Sequence, residues 1–143
     1  MKLLLDTNFI VAYILPNDTL HERAIELEEE LDLLSMECFV TNNVITEVIN
    51  ILGHIDSVNM AVNTYNMMKD SFTCLNEYEI PNFNEIIFKR YKRINKYKEN
   101  PNSKHKLGFA DCSLIEACRY YGLDGVVTFD SKFATADMVK VIS

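Results

Sequence analysis

The chain has 143 residues, 48% of them hydrophobic and 24% charged, which is the balance of a globular protein rather than a disordered one. That length suits one domain spanning 1–143 with a core that needs no staples. The net charge of −7 excludes a surface coated in positive charge, but acids gathered at a metal would inflate the negative count and leave a local basic grip possible.

Lys2–Leu5 is expected to form a short buried strand, ended by Asp6. Phe9–Leu15 reads as a helical turn or two, stopped by Pro16. Asp18 or Thr19 suits the cap of a helix running to about Leu34, with Leu20, Ala24, Leu27, Leu31 and Leu34 at helical spacing and Glu22, Glu26, Glu29 and Glu30 on the other face. Cys38–Val40 is a second strand. Thr41 or Asn42 then caps a helix to about Leu52, closed by Gly53. The next helix, about Val58–Lys69, carries Val58, Ala61, Val62, Tyr65 and Met68 as a core stripe, and a subunit interface is the alternative use of its broad apolar surface. Phe72–Leu75 is a third strand.

Asn82–Lys98 is expected to be a long helix with Phe83, Ile87, Tyr91 and Ile94 on one face. A polar loop, Glu99–Lys106, leads to a helix over Leu107–Tyr121, ended by Gly122. Gly125–Phe129 and Val139–Ile142 are the last strands. Short strands alternating with helices imply an α/β domain with a mostly parallel sheet. No uncharged apolar run approaches the roughly 20 residues of a membrane helix. The four cysteines form no CxxC pair and the three histidines are scattered, so zinc is not expected. Cysteines set in apolar runs fit buried thiols in a reducing cytoplasm.

Four acids stand at strand ends or early in helices: Asp6, Glu47, Asp111 and Asp130. In an open parallel sheet such positions meet at the carboxyl edge. Helix dipoles alone account for Asp111 and partly for Glu47. An Asp abutting a buried strand, as at Asp6 and Asp130, carries a desolvation cost that asks for compensation. Oxygen-only ligands select Mg²⁺ or Mn²⁺. Clustered carboxylates with such ions suit phosphoryl-ester hydrolysis, and no serine, cysteine or histidine nucleophile stands out to replace a metal-activated water.

The segments Leu4-Leu5-Asp6-Thr7-Asn8, Thr46-Glu47-Val48, Gly108-Phe109-Ala110-Asp111-Cys112 and Val127-Thr128-Phe129-Asp130-Ser131-Lys132-Phe133 resemble, in order, the four motifs of the PIN-domain nucleases. The resemblance covers essentially the whole chain and is nearest to the VapC toxins of toxin–antitoxin pairs. It implies a PIN-like three-layer sandwich and a metal-dependent endoribonuclease leaving 5′-phosphate and 3′-hydroxyl ends. It implies that Asp6, Glu47, Asp111 and Asp130 are the catalytic metal-binding acids, with Asn8 and Thr128 supporting them. It also implies a homodimer and a cognate antitoxin, one of whose arginines would compete with the metal. Two departures are visible: Cys112 where the family usually has alanine, and Ser131-Lys132 where a further acid is often seen.

Lys89, Arg90, Lys92, Arg93, Lys96, Lys98, Lys104 and Lys106 are eight of the 14 Lys and Arg, with only Glu99 opposing them inside that stretch. An ordinary solvated helix face explains such a run equally well. Its continuity with the helix of Asp111 favours Lys89, Arg93 and Lys96 as an RNA-binding face. The competing functions are a PIN nuclease of RNA maturation and a catalytically weak scaffold that binds RNA or protein; the complete set of acids argues against the scaffold.

Overall fold

The computed structural model describes residues 1–33, 36–96, 106–135 and 140–143. Strand β1 (Lys2–Leu5) leads directly into helix α1 (Thr7–Ile14), and α2 (His21–Leu31) follows. Strand β2 (Glu37–Thr41) precedes α3 (Asn42–Ile55) and α4 (Val58–Ser71), which run on to β3 (Thr73–Leu75). Helices α5 (Phe83–Asn95) and α6 (Phe109–Tyr120) then lead to β4 (Gly125–Val127) and β5 (Lys140–Ile142). The five strands form one parallel sheet in the order β3-β2-β1-β4-β5, flanked by the helices. The result is the PIN-like α/β architecture expected from the sequence.

The strand order explains where a site belongs. From β1 the chain winds outward to β2 and β3, then returns to the other side of β1 for β4 and β5. The winding reverses between β1 and β4, and loops leaving those two strands diverge to open a crevice at their carboxyl ends. Asp6 leaves β1 there, and Thr128–Asp130 leave β4 beside it. Strands β1 and β4 are buried on both faces: Leu3, Leu4, Leu5, Val126 and Val127 have almost no exposed surface. Gly125 is required by the sheet itself, since a Cβ there would lie 2.8 Å from the Lys140 carbonyl oxygen.

Several boundaries differ from the sequence expectation for local reasons. Asp18 does not cap α2; its carboxylate accepts the Leu20 N–H one turn earlier, and the helix starts at His21. Leu20 is exposed, and α2 stops at Leu31 because Asp32 adopts a left-handed conformation (φ 48°). Residues 34 and 35 lie outside the described residues. Thr41 does cap α3, its hydroxyl accepting the Val44 N–H, but the helix continues through Gly53 to Ile55, where the Asp56 N–H bonds to the Leu52 carbonyl. In α4 the buried stripe is Ala61, Thr64 and Met68, which faces α3. Val58, Val62 and Tyr65 are exposed instead. Strand β3 begins at Thr73, since the Phe72 N–H still bonds to the Met68 carbonyl at the end of α4. Strand β4 ends at Val127, so Asp130 lies past it, at the entry of a 3-10 turn, Ser131–Thr135. A second 3-10 turn, Glu77–Glu79, was not expected. The polar loop falls outside the described residues, apart from Lys106.

Candidate active site

Asp6 is the pivot of the carboxyl edge. It caps α1, with Oδ1 accepting the Thr7 N–H at 2.7 Å and Oδ2 accepting the Thr128 hydroxyl at 2.7 Å. It is only 6% exposed. Burial pushes its carboxyl up from the usual 3.8 to about 6; the bonds from Thr128 and Thr7 oppose that rise, and the negative charges of Asp111 and Glu47 add to it.

Asn8 and Thr128 act as one clamp. The Asn8 Oδ1 accepts the Phe129 N–H at 2.9 Å and its Nδ2 donates to the Thr128 Oγ1 at 3.2 Å. The first turn of α1 is thereby sewn to the segment leaving β4. The Thr128 Oγ1 also accepts the Asp130 N–H at 3.1 Å.

Glu47, in the second turn of α3, is reached by a contact that the sequence did not suggest. The Thr7 hydroxyl donates to its Oε2 at 2.7 Å. Thr7 therefore joins neighbouring acids, its N–H holding Asp6 and its side chain holding Glu47. A hydroxyl at the first helical position beside a capping Asp was the available signal, but its target is set by how α1 packs on α3.

Asp111 is the third residue of α6, and its Oδ2 accepts the Gly108 N–H at 3.2 Å. Burial raises its carboxyl above the usual range; that backbone bond lowers it, Asp130 raises it, Lys132 lowers it and Glu47 raises it. Asp130 caps the 3-10 turn, its Oδ1 accepting the Lys132 N–H at 3.0 Å. Lys132, noted in the sequence only as the absence of an acid, is thus a cation near the cleft.

All four acids line one cleft of about 370 Å³ at the switch point. Among the described residues, no Lys or Arg lines it, and no three acids, histidines or cysteines are drawn together tightly enough to enclose an ion. The donor set nevertheless fits a hard divalent cation: it consists of four carboxyl groups and offers oxygen alone, and the upward displacement of Asp6 and Asp111, caused first by burial and then by the neighbouring acids, is what a bound cation would relieve. A second cleft of about 600 Å³ shares Asp6, Glu47 and Asp111 and extends between α3, α5 and α6.

The basic segment divides in two. Lys89 and Arg93 on α5 and Lys96 at its C-cap are exposed, with Lys89 paired to Glu85 at 3.3 Å, and none lines either cleft. Arg90 does not belong to a basic surface. It is buried, and its Nη2 meets the Glu116 Oε2 at 2.5 Å. Lys98 and Lys104 lie outside the described residues.

The model of the PIN domain family matches residues 3–138. Among solved structures, the chain is similar to VapC20 of Mycobacterium tuberculosis, described as a sarcin-ricin loop cleaving toxin, with a TM-score of 0.72 at 17% identity over 96% of each chain. It is similar to VapBC2 of Rickettsia felis, solved on a DNA fragment from its promoter (TM-score 0.68, 12% identity, 99% of this chain and 98% of that one). It is also similar to FitAcB of Neisseria gonorrhoeae (TM-score 0.61, 19% identity, 99% and 96%). Comparison with curated proteins gives no match. At these identities the structures speak for the fold; the family match spans nearly the whole sequence, and the chain belongs to the PIN domain family.

Proposed function

We propose that this chain is a divalent-metal-dependent endoribonuclease of the VapC type, the toxin of a toxin–antitoxin pair. The observation that carries this reading is the convergence of Asp6, Glu47, Asp111 and Asp130, from four separate segments, on one cleft at the switch point of the sheet. These four acids would hold Mg²⁺ or Mn²⁺. Such a cation, when bound, neutralises the phosphate and activates a water at neutral pH.

The work of the chain itself is orientation. Thr128 and the Thr7 N–H fix both oxygens of Asp6, while the Thr7 hydroxyl turns Glu47 toward it. Asn8 holds the segment that carries Thr128 and Asp130. Lys89, Arg93 and Lys96 lie outside the cleft, where they would grip the flanking phosphates.

RNA cleavage in Mn²⁺, Mg²⁺ and chelator tests the reading. Cleavage is expected with either metal, to stop in chelator, and to leave 5′-phosphate and 3′-hydroxyl ends. Asp6→Asn is expected to lower the rate at least about a hundredfold, the effect of losing a few kcal/mol of transition-state stabilisation. Joint substitution of Lys89, Arg93 and Lys96 by Ala is expected to weaken RNA binding and flatten its salt dependence. Activity that survives both chelator and Asp6→Asn sinks the mechanism.

Two partners follow from the same reading. The similarity to VapBC2 and FitAcB, which are toxin–antitoxin complexes, supports a cognate antitoxin with an Arg for the acid cleft. The exposed apolar face of Val58, Val62 and Tyr65, with Ile55 at the end of α3, supports a homodimer. Light scattering of the eluted protein should give twice the chain mass at micromolar concentration; a clean monomer argues against it. Four unpaired thiols suit a cytoplasmic location.

A further inference from the structure

The turn that follows β4 sets a cation beside the four acids. Asp130 caps that turn, its Oδ1 accepting the Lys132 N–H at 3.0 Å. The Phe133 N–H bonds to the Asp130 carbonyl at 3.2 Å, and the Phe133 side chain is wholly buried. The backbone that carries Lys132 is therefore anchored on both sides, while the residue itself is half-buried. Its positive charge acts on Asp111, as does the negative charge of Asp130. Lys132 thus belongs to the Asp111–Asp130 part of the cleft, whereas Thr7 ties Asp6 to Glu47. It lines neither cleft, and its flexible four-carbon stem gives the ammonium the reach to meet a ligand at the rim.

We propose that Lys132 is a catalytic residue whose ammonium contacts the scissile phosphate in the place of a second divalent cation, so that the cleft works with one metal ion. The proposal rests on the endoribonuclease reading and deepens it. Four carboxylates repel an incoming phosphate, and one divalent cation offsets only half of their charge. In hydrolysis a water oxygen bonds to phosphorus, the bond from phosphorus to the 3′ oxygen breaks, and one proton of the water passes through solvent to that leaving oxygen. Negative charge grows on the phosphate oxygens as the water adds, so a further positive group is needed where it grows. Lys132 supplies it as a fixed point charge and keeps its own proton throughout. Two ions would serve the same end at a spacing of about 4 Å. The acids are not gathered for such a pair: among the described residues no three of them close round one ion position. An ion placed between Asp111 and Asp130 would also meet the like charge of Lys132.

The test titrates the full chain with Mn²⁺, free ion being read by electron paramagnetic resonance, and follows cleavage of a pool of short oligoribonucleotides of randomised sequence. The unaltered chain is expected to bind one Mn²⁺. Lys132→Met should bind that ion about threefold to tenfold more tightly, because a like charge is gone. The same variant should cleave about a hundredfold more slowly at saturating Mn²⁺ and RNA, as loss of one group facing the developing charge does. Lys132→Arg, which keeps the charge, should recover most of that rate. A residue that only shapes the turn would weaken metal binding and cleavage together, and that result overturns the proposal. So does a second Mn²⁺ on the unaltered chain. Cleavage equally fast in Lys132→Met removes Lys132 from the chemistry and leaves the nuclease reading standing. Mn²⁺ bound without any cleavage by the unaltered chain overturns the nuclease reading, and the catalytic role of Lys132 falls with it.

Discussion

Asp6 and Glu116 are both acids withdrawn from water, and the fold treats them in opposite ways. Glu116, on α6, is wholly buried. Its Oε2 receives Arg90 at 2.5 Å and the Arg119 Nε at 3.1 Å, and its Oε1 receives the Arg119 Nη2. Burial alone would raise its carboxyl, but the hydrogen bonds and charges of Arg119 and Arg90 outweigh that and hold it below the usual range. Glu77, also buried, has backbone partners instead, accepting the N–H groups of Asn42 and Asn43 where α3 begins. Asp6 has hydroxyl and backbone partners, and its carboxyl is displaced to about 6. A buried acid given a cation serves the fold. A buried acid beside other acids stores a demand for positive charge, and that is the mark of a site.

The largest break in this contrast should come from the paired side. Arg90→Met removes the shorter of the two guanidinium contacts to the Glu116 Oε2 and leaves the Arg119 Nε at 3.1 Å. The expected loss is about 3 kcal/mol, the low end for breaking a buried pair, because Arg119 stays on both oxygens. Urea denaturation measures it. Adding Glu116→Leu should recover most of the loss, since the desolvation cost disappears with the charge. A double variant as unstable as Arg90→Met would mean that packing, not charge, is what Arg90 provides.

Asp6 should respond with the opposite sign. Its folded-state value of about 6 lies above the unfolded 3.8, so the folded protein holds the proton more tightly. The stability this gives is fully present below about pH 4 and is lost as pH rises through about 6. Without metal, the loss approaches about 3 kcal/mol by neutral pH. Asp6→Asn should therefore raise the melting temperature at pH 7 to 8 in chelator, while leaving it little changed at pH 4. Mn²⁺ should raise the melting temperature of the unaltered chain above pH 6 and much less below pH 5, where protonated Asp6 no longer attracts it. A metal-induced shift equal at both pH values would separate cation binding from Asp6.

These two acids also show what the sequence discloses. Asp6 was legible because it directly follows a run of buried leucines, and an acid in that place has few structural excuses. The order β3-β2-β1-β4-β5, which brings Asp130 beside it, depends on pairing across more than a hundred residues and leaves no local trace. The burial of Arg90 is hidden from the sequence for the same reason. A lysine- and arginine-rich helix reads as solvated, and the partner that buries Arg90 lies 26 residues away. In α4, periodicity revealed an apolar surface but not its packed side, because Ala61–Thr64–Met68 and Val58–Val62–Tyr65 share the helical spacing. Tyr78 lies in a segment where a single aromatic carries no pattern, and Phe109 was noted only as part of the motif around Asp111; only the meeting of α3, α5 and α6 makes them walls of one cleft.

The smallest expected effect sharpens the contrast most finely. Thr128 is buried and gives Asp6 the one side-chain hydrogen bond that opposes its upward displacement. Thr128→Val keeps the shape and removes the hydroxyl, which also deprives the Asn8 amide and the Asp130 N–H of an acceptor. Stability should fall by about 1–2 kcal/mol. Asp6, without its donor, should ionise at a pH above its present value of about 6. The pH at which Mn²⁺ begins to raise the melting temperature should move upward with it, whereas Thr128→Ser should leave that midpoint in place. A loss of stability with no movement of the midpoint would make Thr128 a packing residue of β4's exit rather than the group that tunes Asp6. The two outcomes differ because packing acts on the folded state at every pH, while a hydrogen bond to the carboxylate acts only where Asp6 is ionised.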